Sequence, residues 1–137
     1  VHQANLAWNW DWRYDCAVNS ESGDGAACAA RHIAHWAAQG VTAWQCDSDG
    51  TAYRVLQQLI KLGIDVPNEL SICGYDGLVE VWDVPQLTTV RVPFVELGRT
   101  AMHRIGARVQ GVGQLPQHIL VRGEWVSGMT SGPRSRG

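Results

Sequence analysis

The sequence predicts an α/β domain: a mostly parallel sheet with helices on both faces. Two observations carry this expectation. Short apolar runs that end in turn residues alternate along the chain with longer segments of helical period. In addition, 137 residues, 45% of them hydrophobic, suffice for one compact core and leave little room for a second. Strand–helix alternation at this length implies right-handed β-α-β units.

The elements follow in order. Tyr14 to Val18 is short, apolar and flanked by polar residues, as a strand would be. Asn19-Ser20-Glu21-Ser22 then offers capping oxygens for a helix running to about Gln39. Its apolar positions Ala26, Ala30, Ile33 and Ala37 recur every three or four residues, and Gly40 stands where a left-handed C-terminal residue belongs. Thr42 to Cys46 reads as a buried strand, broken by Asp47-Ser48-Asp49-Gly50. From Gly50 to Leu62, Ala52, Val55, Leu56, Leu59 and Ile60 form a continuous helical stripe, with Asp49 as the expected N-cap. Gly63 and Pro67 stop that helix, and Leu70 to Gly74 is the next strand, ending at Tyr75-Asp76-Gly77. Leu87 to Val92 is extended; Pro93 suits a first helical turn, and Phe94, Leu97, Ala101, Ile105 and Val109 line one face of a helix up to Gly111. His118 to Val126 is the last strand, and residues 127–137, rich in Gly, Ser and Arg, read as a flexible tail.

Charge and composition exclude several functions. A net charge of −2, from 11 basic and 13 acidic residues, provides no basic field for a phosphate backbone. No apolar run approaches the ~20 residues that cross a bilayer, and Val1-His2-Gln3-Ala4-Asn5 lacks the basic and apolar regions of a secretory leader. The expectation is a soluble, cytoplasmic chain; opening without Met and in mid-pattern, it reads as a piece of something larger. Cys16, Cys28, Cys46 and Cys73 form no Cys-x-x-Cys pair, which fits a reducing compartment.

In a sheet of this type ligands bind beyond the carboxyl ends of the strands. That rule selects residues 19–22, 47–49 and 75–77. Three segments there and nearby are recognisable: Ala43-Trp44-Gln45-Cys46-Asp47-Ser48-Asp49-Gly50-Thr51-Ala52; Leu62-Gly63-Ile64-Asp65-Val66-Pro67-Asn68-Glu69-Leu70-Ser71-Ile72-Cys73-Gly74-Tyr75-Asp76; and Pro85-Gln86-Leu87-Thr88-Thr89-Val90-Arg91. In order and spacing they resemble the effector-binding domain of the lac and gal repressor family (LacI/GalR). The likeness runs from Tyr14 to Val126, while residues 1–13, with Trp8, Trp10 and Trp12, match nothing in it.

The resemblance implies the C-terminal lobe of a periplasmic-binding-protein-like type I core, with operator DNA read by an N-terminal domain outside this chain. It implies a homodimer, with the helix from Thr51 to Leu62 and the loop from Leu78 to Val84 near the subunit contact. The partner it implies is a small metabolite, a sugar or a related compound. Asp76 corresponds to the family's ligand-binding Asp; its two oxygens suit adjacent sugar hydroxyls or a purine edge, whereas the bland alternative is an Asp-Gly turn. Ser48 stands where the family usually has Asn, with one rotatable hydroxyl in place of a fixed amide. Asp49 is a capping residue before it is a ligand contact. Ser22 lies near a position that often carries a stacking aromatic, and Trp82 is an alternative apolar platform. Val92 replaces a commonly polar residue.

Cys28, His32 and His35 share a helical arc, but no fourth ligand accompanies them, so no metal is expected; nor is a cofactor, since Gly111-Val112-Gly113 lacks the setting of a dinucleotide fingerprint. No nucleophile is paired with a base, so the chain is not expected to be an enzyme. The leading expectation is the effector-sensing, dimerising part of a repressor. The alternative is a periplasmic sugar-binding protein of a transport system, which shares the lobe architecture.

Overall fold

A computed structural model of the chain describes residues 24–77, 85–112 and 118–133. The strand expected at Tyr14 to Val18, the caps at Asn19 to Ser22, the loop from Leu78 to Val84 and residues 134–137 lie outside them. The described elements are α1 (Asp24–Ala38), β1 (Ala43–Gln45), α2 (Asp49–Lys61), β2 (Ser71–Cys73), β3 (Thr89–Arg91), α3 (Phe94–Val109) and β4 (Glu124–Val126). Each lies within, or one residue from, a segment that periodicity selects. The last strand is shorter than expected: only its final three residues pair.

β1 and β2 pair in parallel, with Trp44 opposite Ile72. Single parallel bridges, Cys73 with Thr88 and Asp76 with Arg91, carry the pairing on to β3. β4 runs antiparallel beside β3, with Val90 opposite Trp125. The described strands thus form two two-stranded sheets, β1-β2 and β3-β4, joined by these single bridges.

One core holds the first half together. Ala29, Ala30 and Ile33 of α1 meet Ala52, Val55, Leu56 and Leu59 of α2 over Cys46, Leu70 and Ile72. Burying a side chain of the size of Leu56 or Ile72 contributes about 1.5–3 kcal/mol, so this layer dominates stability. Two details depart from the expected stripe. Ile60 is half exposed, and Tyr53 is buried instead, its hydroxyl accepting from the Leu87 backbone N–H at 3.4 Å. The strand at 43–45 is amphipathic, not buried throughout: Ala43 and Gln45 are exposed while Trp44 faces the core. Gly40 closes α1 with φ +101°, as a C-terminal glycine should.

α3 forms where its period predicts, with Pro93 one residue outside it as N-cap. Yet none of its residues is buried; Val95, Met102, Ile105 and Val109 are all more than half exposed. Its apolar side finds no cover among the described residues.

The end of the chain is not the flexible tail that its composition suggests, at least through residue 133. Thr130 is fully buried. Its hydroxyl donates to Ile72 O at 2.7 Å and accepts from Thr88 N–H at 2.9 Å, while its carbonyl accepts from Ile72 N–H at 2.7 Å. Thr130 thus occupies the place beside β2 where β3 has not yet begun. Ser131 and Gly132 add bonds to Thr88 and Ser71. A composition rich in small residues permits this because they fit against a backbone; hydrogen bonding, not apolar burial, docks the segment. Thr130→Val keeps the shape and strands the Thr88 donor and the Ile72 acceptor, so it is expected to cost about 3 kcal/mol. Urea unfolding monitored by tryptophan fluorescence checks this, and an unchanged midpoint would refute the strap.

Candidate functional site

The carboxyl ends of β1 and β2 and the start of α2 converge on residues 75–77. Ser48 caps α2: its backbone is extended, and its Oγ accepts from Thr51 N–H at 3.2 Å and donates to Thr51 Oγ1 at 3.0 Å. The cap is therefore Ser48, not Asp49 as the sequence suggests. Asp49 is the first helical residue, only 1% exposed, and turned inward. Its Oδ2 accepts from Gly77 N–H at 2.8 Å and its Oδ1 from the Thr89 hydroxyl at 2.5 Å. A carboxylate in a first helical turn also meets the positive end of the helix dipole. Asp49 is thus a brace linking α2, the 75–77 turn and β3, with both oxygens occupied by the protein itself. Gly74 makes room for it, since a Cβ there would run into Asp49 Oδ1 and Leu87.

Asp76 lies at the centre of this brace with φ +115°, a left-handed value rare outside glycine. Four hydrogen bonds enforce it. Asp76 N–H donates to Val90 O at 3.0 Å and Asp76 O accepts from Val92 N–H at 2.9 Å. On either side, Tyr75 O accepts from Asp49 N–H at 2.8 Å and Gly77 N–H donates to Asp49 Oδ2. Backbone strain of this kind costs about 1–3 kcal/mol and persists only where the surroundings over-determine it. The carboxylate so placed is partly exposed at the strand ends and makes no hydrogen bond to a described residue.

Two neighbours escape a reading by motif. Gln45 donates from Nε2 to both Cys46 O and Gly74 O, each at 2.8 Å, which fixes its amide and leaves Oε1 as an exposed acceptor. Arg91 stands across the ladder from Asp76 and pairs with Glu124 at 3.2 Å. Only strand register could have revealed either. Gln45 and Asp76, at the ends of neighbouring strands, both offer acceptors, suited to a ligand that presents several donors.

Of the five residues the sequence selects, the structure brings Ser48, Asp49 and Asp76 together, and Ser22 and Trp82 lie outside the described residues. Val92 contributes its backbone to Asp76. On α1, His32 Nε2 accepts from Trp36 Nε1–H at 2.9 Å and His35 Nε2 bonds Gln39 Nε2 at 2.7 Å. No three potential ligands converge on a metal position among the described residues. Cys46 is no nucleophile: burial, helped by the charge of Asp47 and by Cys73, pushes its pKa from 9.0 up to about 12.

Comparison with known proteins identifies the family and the fold. Residues 11–131 match the periplasmic binding protein-like domain. The sucrose operon repressor of Escherichia coli is 35% identical over 81 residues, covering 56% of this chain and 24% of that protein. The transcriptional repressor CytR of the same organism is 41% identical over 83 residues, 59% of this chain and 23% of that protein. The chain thus spans about a quarter of the length of these relatives. The crystal structure of a LacI family transcriptional regulator from Arthrobacter sp. FB24 in complex with lactose superimposes with a TM-score of 0.66. That match has 22% identity over 80% of this chain and 42% of the other.

Proposed function

This chain belongs to the periplasmic binding protein-like family, and we propose that it is an effector-binding domain of the LacI/GalR type that senses a small metabolite for a transcription regulator. The observation that carries the reading is Asp76: a strained, over-determined, partly exposed carboxylate at the carboxyl ends of parallel strands. Its preferred ligand is a sugar or a related polyhydroxy compound, whose hydroxyls match the acceptors of Asp76 and Gln45. The relatives compared are repressors by name, which favours regulation over transport.

In the complete protein this chain forms one side of a cleft and takes part in a cytoplasmic homodimer. A second lobe closes the cleft and covers the bare apolar face of α3, and a separate domain reads operator DNA. The metabolite binds one lobe arrangement better than the other and so shifts the population competent for DNA. No catalytic step is part of this reading.

The test is operator binding by the complete protein, titrated with a panel of sugars and nucleosides. At least one compound is expected to change operator affinity by about 5–150-fold without being consumed. A compound that is turned over, or binding with no effect on DNA affinity, would contradict the proposal.

A further inference from the structure

Resting on that reading of Asp76, we propose that Arg91 is a second specificity-determining residue of the site, selecting metabolites that carry an anionic group beside their hydroxyls. Three observations fix its backbone and stem beside Asp76 and leave its head open to solvent. Arg91 is the bridge partner of Asp76, held next to it by the bonds from Asp76 N–H to Val90 O and from Val92 N–H to Asp76 O. Its stem lies over Gly77, where a Cβ would sit 2.6–2.9 Å from Arg91 Cα, Cβ and Cγ; the absence of that Cβ lets the turn pack against the arginine and fixes where the side chain departs. Its charged end is 3.2 Å from Glu124, with the two side chains 52% and 70% exposed.

An ion pair so open to water contributes little, and no other hydrogen bond to a described residue engages the guanidinium. Arg91 is thus held beside Asp76 by backbone pairing while its head stays exchangeable. A phosphate or carboxylate on the ligand can replace Glu124 and form the two-pronged contact that arginine favours. The site would then read two features at once: hydroxyl donors at Asp76 and an anion at Arg91.

The experiment is calorimetry on the complete protein with matched probes: pentoses and hexoses, their phosphate esters, and the corresponding sugar acids. The wild type is expected to bind at least one anionic probe tenfold or more tightly than its neutral parent, with the preference shrinking as salt rises. The phosphate and carboxylate arms identify which anion it takes. Arg91→Gln should abolish the preference, weakening the anionic probe at least tenfold more than its neutral parent, and Arg91→Lys should restore part of it. Neutral sugars bound through Asp76 with equal or greater affinity than their anionic forms, or an Arg91→Gln loss shared equally by both, would overturn the role of Arg91 alone. Failure of every probe to bind would overturn the effector reading and this inference with it.

Discussion

Asp49→Ala is expected to destabilise the fold by about 3–5 kcal/mol, from the sum of two stranded donors and the void left by the side chain. The Gly77 N–H and the Thr89 hydroxyl both end on this carboxylate. Removing it strands the buried Thr89 hydroxyl and the part-buried Gly77 N–H, and it also opens a small void beside Gly74 and Leu87. Against a total stability of about 5–15 kcal/mol, that is a large fraction. Urea unfolding should show a lower midpoint at an unchanged slope, as for a loss of native-state interactions only. Asp49→Asn keeps the volume but turns an amide N–H toward a donor, so it should fall between wild type and Ala. Wild-type stability in Asp49→Ala would mean that the brace is not what holds the 75–77 turn.

At Asp76 the expected effects on stability and binding have opposite signs. Asp76→Gly relieves a left-handed backbone and should raise stability by about 1 kcal/mol, because glycine adopts φ +115° without a Cβ clash. The same change removes the acceptor for the ligand and should weaken effector binding by about 10–100-fold, or about 1.4–3 kcal/mol. A carboxylate that merely shaped an Asp-Gly turn would show the first effect without the second. A gain in stability coupled to a loss of binding identifies a residue whose strain is kept for function.

Much of this was legible in the sequence, and the parts that were not share a cause. The stripe Ala52, Val55, Leu56, Leu59 is visible because helical period depends on neighbours three and four residues apart. The same rule finds the apolar side of α3 but says nothing about what covers it: Phe94, Leu97, Ile105 and Val109 have the period of a core helix, and all are exposed among the described residues. Exchanging the roles of Ser48 and Asp49 is a one-residue error in placing the cap, yet it turns a helix cap into the brace of the site. Thr130 sits in a stretch whose composition reads as a loop; its burial comes from pairing with Ile72 and Thr88, more than forty positions away. Arg91 and Gln45 are likewise placed by register. Local pattern reports local structure, and these contacts join distant segments.

The most direct test of the central claim is the calorimetric affinity of the complete protein for its effector, wild type against Asp76→Asn. Asparagine tolerates the left-handed backbone and nearly matches aspartate in shape, so the comparison isolates the charged acceptor. The account predicts an affinity lower by at least tenfold, with unfolding unchanged within about 1 kcal/mol. Equal affinity in the two proteins would contradict it.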